Sequence, residues 1–200
     1  MQEKSFLGCL AGVFLVSILV TVAVEAEEAN LLRNPSFEEG LKEWTVPPPE
    51  WIIGKGVRTP AIDDAIIQGA GHSSLKMIGE EGKGGRVFQN IPPVAGRYRL
   101  SGWMKIRDFP VKAPWAARIY VVCTDENHKW LGMFTASTAH GVSDIDWKRY
   151  EVEFEMPEKT AVFRVVLDTA NVKDNSCDGV NTGTAWFDNL SLNREIMENK

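Results

Sequence analysis

The stretch Arg97-Tyr98-Arg99-Leu100-Ser101-Gly102-Trp103-Met104-Lys105-Ile106 alternates with a two-residue rhythm. Its even positions are Tyr98, Leu100, Gly102, Met104 and Ile106, apolar apart from one phenolic hydroxyl. Its odd positions are Arg97, Arg99, Ser101, Trp103 and Lys105. Successive side chains of a strand point to opposite faces, so this is the pattern of a half-buried strand and not of a helix. The even set is predicted to face the core. Trp103 then stands on the polar side, an indole with no core to fill.

Three further segments repeat the rhythm. Ala117, Ile119, Val121 and Cys123 oppose Arg118, Tyr120 and Val122; Tyr150, Val152, Phe154 and Met156 oppose Arg149, Glu151, Glu153 and Glu155. Ala161, Phe163, Val165 and Leu167 oppose Val162, Arg164, Val166 and Asp168. Turn-forming clusters punctuate the chain at short intervals, among them Pro47-Pro48-Pro49, Gly69-Ala70-Gly71, Pro92-Pro93 and Asp125-Glu126-Asn127. No segment carries the three-to-four spacing of an amphipathic helix. The prediction is an all-β sandwich of two antiparallel sheets with their apolar faces together.

At 200 residues, 44% of them hydrophobic, the chain suits one domain that buries its own core. A net charge of −5 argues against nucleic acid or an anionic membrane as the main partner, since both reward clustered Lys and Arg. An apolar run from Phe6 to Val24 precedes Val24-Glu25-Ala26, small residues of the kind that signal peptidase prefers. Residues 1–26 therefore read as a secretory signal cut after Ala26, or as an uncleaved N-terminal anchor. Either way, residues 27–195 form the exported sandwich and 196–200 a tail. Cys123 and Cys177 remain in the mature chain, and pairing and two buried free thiols both stay open.

Catalytic signatures are missing from the sequence. His72, His128 and His140 have no metal-ligand spacing, and there is no G-x-S-x-G elbow, phosphate-binding loop or G-x-G-x-x-G. Gly82-Lys83-Gly84-Gly85 is followed by no helix, and Glu151, Glu153 and Glu155 read as a solvated strand face. No residue is nominated as catalytic, and the chain is not predicted to be an enzyme.

Several pieces, taken in order, resemble a known group. They are Asn30 to Glu38 followed by Gly40 to Trp44, Gly71 to Met77, Arg97 to Lys105, Asp146-Trp147 leading into Tyr150 to Met156, and Ala185 to Leu192. Together they are similar to carbohydrate-binding modules of families 4, 9, 16 and 22, across nearly the whole mature chain. The resemblance implies a jelly-roll β-sandwich, galactose-binding-domain-like, whose concave sheet holds glycan on an aromatic platform. Trp103 occupies the position of a platform aromatic. Arg118 and Tyr120 are expected on the non-core side of a neighbouring strand, with Arg99, Arg164 and Asp168 as weaker candidates. Trp51, Trp115 and Trp130 lie in or beside loops, where sugar contact and loop packing are both open, whereas Trp44, Trp147 and Trp186 are expected to be structural.

The resemblance also implies a structural calcium ion where the first and last strands meet. Glu38 and Asp188 match its carboxylate ligands, and Ser36 would offer a backbone carbonyl. Ala70 departs from the pattern, standing close to where some members have a further carboxylate. The expectation is an exported, monomeric, non-catalytic protein that binds a polysaccharide or glycan and touches membrane only if the N-terminal segment stays. The alternative is a cell-surface adhesion or assembly module that binds protein.

Overall fold

A computed structural model describes residues 29–48, 60–78, 85–109, 116–139, 141–169 and 183–195. The predicted signal or anchor, Trp51, Trp115, His140, Cys177 and the tail lie outside the described residues. The described residues contain no helix and nine strands: β1 Ala61–Asp63, β2 Ser74–Ile78, β3 Arg86–Ile91, β4 Arg97–Arg107, β5 Ala117–Thr124, β6 Trp130–Ser137, β7 Ile145–Glu155, β8 Val162–Thr169 and β9 Thr184–Glu195. They form two antiparallel sheets, one ordered β1-β2-β9-β4-β7 and the other β3-β8-β5-β6.

The predicted alternation holds in β4. Tyr98, Leu100, Met104 and Ile106 are buried, and Trp103 is half-buried on the other side. From the facing sheet come Ile119, Val121, Cys123, Phe163, Val165 and Leu167, all buried in the same cluster. Tyr98 stacks on Phe154 at 5.5 Å and meets Phe163 edge-on at 5.1 Å, and its hydroxyl donates to the Val94 carbonyl at 2.5 Å. Cys123 is a buried free thiol in this core, its pKa pushed up to about 11 by burial.

The strand ends differ modestly from the sequence reading. β7 begins at Ile145, four residues before Arg149, and Ala161 is exposed just ahead of β8.

β9 changes phase midway. Its partners in β4 step from Ser191 to Asp188 while β4 advances only from Ser101 to Trp103, so β9 holds one extra residue there. Asn189 takes that bulged position with φ +46°, a region that Asn tolerates better than most side chains. Before the bulge Ala185 and Phe187 fill the core; after it Leu190 and Leu192 do. Gly102 lies opposite. A Cβ there would come within 2.4 Å of the Leu190 side chain, so only glycine leaves room for it.

The N-terminal motif ties the chain entrance to this same strand. The Asn30 side-chain oxygen accepts from the Leu32 and Leu192 amides, and its nitrogen donates to the Leu190 carbonyl. The Asn34 side chain closes the following loop through Glu39, Gly40 and Lys42. Phe37, with φ +60°, is fully buried against Trp44, whose indole donates to the Asn34 carbonyl at 3.0 Å. Thr45 then bridges to Phe88 and extends this entrance segment along β3.

One expectation is corrected here. β4 and β5 follow one another in sequence, but they belong to opposite sheets. Alternation assigns each residue to a core or a solvent side; it cannot say which sheet that side belongs to.

Candidate binding site

The outer face of the four-stranded sheet is an ordered grid. Antiparallel register places Arg86, Asp168, Arg118 and Ser137 in one row across β3, β8, β5 and β6. The next row is Phe88, Val166, Tyr120 and Thr135, and the one after is Asn90, Arg164, Val122 and Met133. Beyond them Trp130 pairs with Thr124 and is 57% exposed. Directly opposed residues share a face and lie within reach of one another, so register builds this surface from four separate segments.

Asp168 is the electrostatic centre of the first row. It is buried, and its Oδ2 accepts from Arg86 Nη2 and Arg118 Nη2, both at 2.9 Å, and from the Tyr120 hydroxyl at 3.3 Å. Burial works against the Arg86 charge, but the Asp168 carboxylate outweighs it and the pKa of Arg86 is raised. Burial pushes the Tyr120 hydroxyl up to about 12, aided by the Asp168 charge and opposed by the two guanidiniums. The arrangement fixes two cations and a phenol around one carboxylate and leaves none of the four free to swing.

Aromatic faces complete the surface. The Arg118 guanidinium sits 4.5 Å from the Tyr120 ring centroid, and that of Arg164 4.1 Å from the Phe88 centroid. Phe88, Tyr120 and Val166 form a small apolar cluster separate from the main core. Between these groups runs a cleft of about 130 Å³, walled by Arg86, Phe88, Tyr120, Val122, Arg164 and Val166, with Pro47 at its margin. Phe88, Tyr120 and Val166 are themselves buried and guanidiniums lie over the two rings, so the cleft presents fixed polar groups, and the exposed stacking surface of this face is the Trp130 indole. Fixed polar groups with an exposed indole on the same face suit a ring-shaped ligand with hydroxyls around its rim.

Trp103 lies elsewhere. It belongs to the outer face of the five-stranded sheet, opposite Arg149 in β7 and Asp188 in β9. That face is laced with ion pairs: Arg97 and Arg99 both meet Glu153 and Glu195, and Arg149 meets Glu151. At its far end Asp63 accepts from the Trp186 indole at 2.9 Å and pairs with Lys76 at 3.0 Å. The core of the sandwich therefore separates Trp103 from Arg118 and Tyr120, and no single site on either face contains all three. Arg99 belongs to the ion-paired side, whereas Arg164 and Asp168 join Arg118 and Tyr120.

Sequence reasoning missed Arg86 and Phe88 altogether, because no alternation was read between Arg86 and Ile91. Val87 and Phe88 are adjacent apolar residues that face opposite sides, so this segment breaks the two-residue rhythm.

The proposed calcium ligands lie near one another. Asp188 is fully buried, and it accepts from the Gln68 amide at 3.0 Å and the Asn189 amide at 2.7 Å. Burial raises its pKa to about 6, and the nearby Glu38 charge adds to the rise. Glu38 accepts from the His72 and Ser73 amides through Oε1. Among the described residues no Lys or Arg pairs with either carboxylate, and Ser36 is half-buried two positions from Glu38. Two neighbouring oxygen donors without a counter-charge fit a hard divalent cation, although no group of three acidic, His or Cys side chains surrounds the spot among the described residues. Trp44 and Trp186 are buried with bonded indole nitrogens, as structural residues would be.

No family model matches the chain, and no curated protein sequence matches it. Solved structures do. The enzymatically active domain of bacteriophage CBA120 tailspike protein 4 superposes with a TM-score of 0.59 at 13% identity, covering 83% of this chain but only 21% of the tailspike chain. TmCBM61, solved in complex with β-1,4-galactotriose, gives 0.54 at 17% identity over 84% of this chain and 99% of its own. The CBM22-1 xylan-binding domain of Xyn10C from Paenibacillus barcinonensis gives 0.53 at 17% identity, covering 84% and 97%. The two modules match along almost their whole length, and at these identities the likeness is one of fold. The chain is an all-β jelly-roll sandwich of two antiparallel sheets, of the kind seen in carbohydrate-binding modules.

Proposed function

We propose that the protein is an exported, non-catalytic carbohydrate-binding module that holds a polysaccharide or glycan chain on the outer face of its four-stranded sheet. The observation that carries this reading is the cleft walled by Arg86 and Arg164 on the same sheet face as the exposed Trp130 indole, which supplies fixed polar groups and a stacking surface together. A pyranose ring has the same two characters, apolar on its face and hydroxylated at its rim. The modules that share the fold include one solved with a galactan oligosaccharide and one described as xylan-binding, which supports the class of ligand. Trp130 extends the surface along β6 as an exposed stacking partner. Arg118 and Tyr120 belong to this face, where their bonds to Asp168 would hold it in shape for the ligand; Trp103 would serve only a ligand on the opposite face.

Binding fits better than catalysis. Asp168 is the single carboxylate of this face among the described residues, and its Oδ2 is already tied to two guanidiniums and a phenol. A general acid and base need two titrating groups held apart in pKa, and the cleft offers no such pair. A calcium ion held by Glu38, Asp188 and the Ser36 carbonyl belongs to the same proposal. It would supply positive charge to a buried carboxylate and tie the entrance loop to β9, at a distance from the sugar.

Calorimetric titration of the secreted protein with xylans, β-1,4-galactan, β-glucans and mannans tests the reading. Trp130→Ala is expected to weaken binding about five-fold, the loss of one aromatic stack of about 1 kcal/mol. Trp103→Ala is expected to leave binding intact. Binding lost with Trp103→Ala but kept with Trp130→Ala would move the site to the other sheet, and a folded protein that binds no glycan would end the proposal.

A further inference from the structure

We infer that this cleft selects sugars that carry a carboxylate, so that the ligand is a uronic-acid-containing polysaccharide; the inference rests on the glycan-binding reading above. Among the described residues of this face, positive charge exceeds negative charge. Arg86 and Arg164 both wall the cleft, and Asp168 is the one carboxylate among the described residues of the sheet's outer side. Leaving Arg118 aside, two guanidiniums still face one carboxylate. Asp168 cannot serve both, because Arg164 lies four residues away along β8, about 13 Å in a strand.

Arg164 is the informative member. Its Nε donates to the Asn90 side-chain oxygen at 2.9 Å, and its plane lies over the Phe88 ring. Both partners are neutral. Its terminal nitrogens make no hydrogen bond among the described residues and stand at the cleft wall. Burial pulls the pKa of this guanidinium below its ordinary value, and the Arg86 charge adds to the effect.

A site for neutral sugars gains nothing from holding a partly desolvated cation without a counter-charge. A site for a carboxylate gains a planar fork that takes both oxygens at once. Phe88 braces the guanidinium from behind, so its orientation is set before the ligand arrives. The chain as a whole is acidic, at −5, so the attraction is a local property of the cleft and not of the protein's overall charge.

The test pairs each of three uronate polymers, polygalacturonate, glucuronoxylan and alginate, with its own carboxyl-reduced counterpart. Reduction removes the charge and keeps the backbone. At least one acid form is expected to bind about ten-fold or more tighter than its reduced partner, the scale of a charge-assisted hydrogen bond. That preference should fade between 0.1 and 1 M salt, as the screening length falls from about 10 to about 3 Å. Arg164→Gln should bring the ratio of acid to reduced affinity towards one. Arg149→Gln on the opposite face should leave that ratio where it was.

The inference is overturned if every polymer that binds does so equally well in acid and reduced form, or if a sulfated glycan binds while no uronate polymer does; either result leaves the glycan reading standing. Should no polymer of either kind bind the folded protein, both fall together. The salt dependence is read on the unmodified protein, so it decides the matter even if the Arg164 variant fails to fold.

Discussion

Replacing Asp168 with asparagine is the sharpest test of how the binding face is built. The substitution keeps the side chain's shape and removes a charge that two guanidiniums approach at 2.9 Å. Breaking a buried ion pair by removing one partner costs about 3–5 kcal/mol, because the remaining charge stays desolvated. Here the loss is smaller. The Arg86 side chain is a third exposed and can recover water, whereas that of Arg118 is 18% exposed and cannot do so easily. A destabilisation of about 2–3 kcal/mol is expected, which lowers the melting temperature by roughly 5–10 °C in a chain of this size.

The same change has a spectroscopic signature. Tyr120 ionises near 12 chiefly through burial and next through the Asp168 charge, so in the variant its phenol should titrate earlier. Urea unfolding followed by tryptophan fluorescence measures the first effect, and alkaline absorbance titration with Tyr120→Phe as the reference measures the second. A stability change below about 0.5 kcal/mol with an unmoved phenol titration would refute an electrostatic centre at Asp168. A large loss of stability with no change at Tyr120 would mean that packing, and not charge, holds the face together.

Other perturbations reach other parts of the molecule. Gly102→Ala should destabilise by about 1–3 kcal/mol through overpacking against Leu190, and the penalty should shrink in a Leu190→Val background; equal penalties in both would separate the two sites. Asp63 has its pKa lowered to about 2: burial would raise it, but the Trp186 indole, Lys76 and the Ala65 and Ile66 amides outweigh that. Its contribution of about 2 kcal/mol is therefore present above the unfolded value of 3.8 and fades as pH falls towards 2. The stability gap between the natural chain and Asp63→Asn should close over that window, and a gap constant from pH 5 to pH 2 would contradict it. Calcium at a hundred times its dissociation constant should raise the melting temperature by about 5–10 °C, and Glu38→Gln should abolish the rise. An identical melting curve in chelator and in calcium would remove the ion from the proposal.

Much of the sandwich was legible in the residues alone. The two-residue rhythm marked β4, β5, β7 and β8, and the side it assigned to Leu100, Ile119, Phe163 and their neighbours is the buried one. Rhythm gives no pairing information, however. Arg118 and Tyr120 were placed beside Trp103 because their strands are consecutive, whereas the chain crosses to the other sheet between them. Asp168 looked like one polar residue at a strand end until register set it between Arg86 and Arg118. The β9 phase change was equally hidden, since a one-residue bulge at Asn189 leaves no mark in composition. Features carried by a single strand could be read in advance, and features made by three or four strands meeting could not.

The separation of the two outer faces has a practical corollary. Sheets packed face to face lie about 10 Å apart, so an attachment point on one outer surface sits across the full thickness of the molecule from the other. A dye, a surface tether or a fused partner coupled through the Arg97, Arg99 and Glu153 side would leave the Phe88 and Tyr120 side pointing outward. The protein can be immobilised in a known orientation, and each surface can be re-engineered without consulting the other.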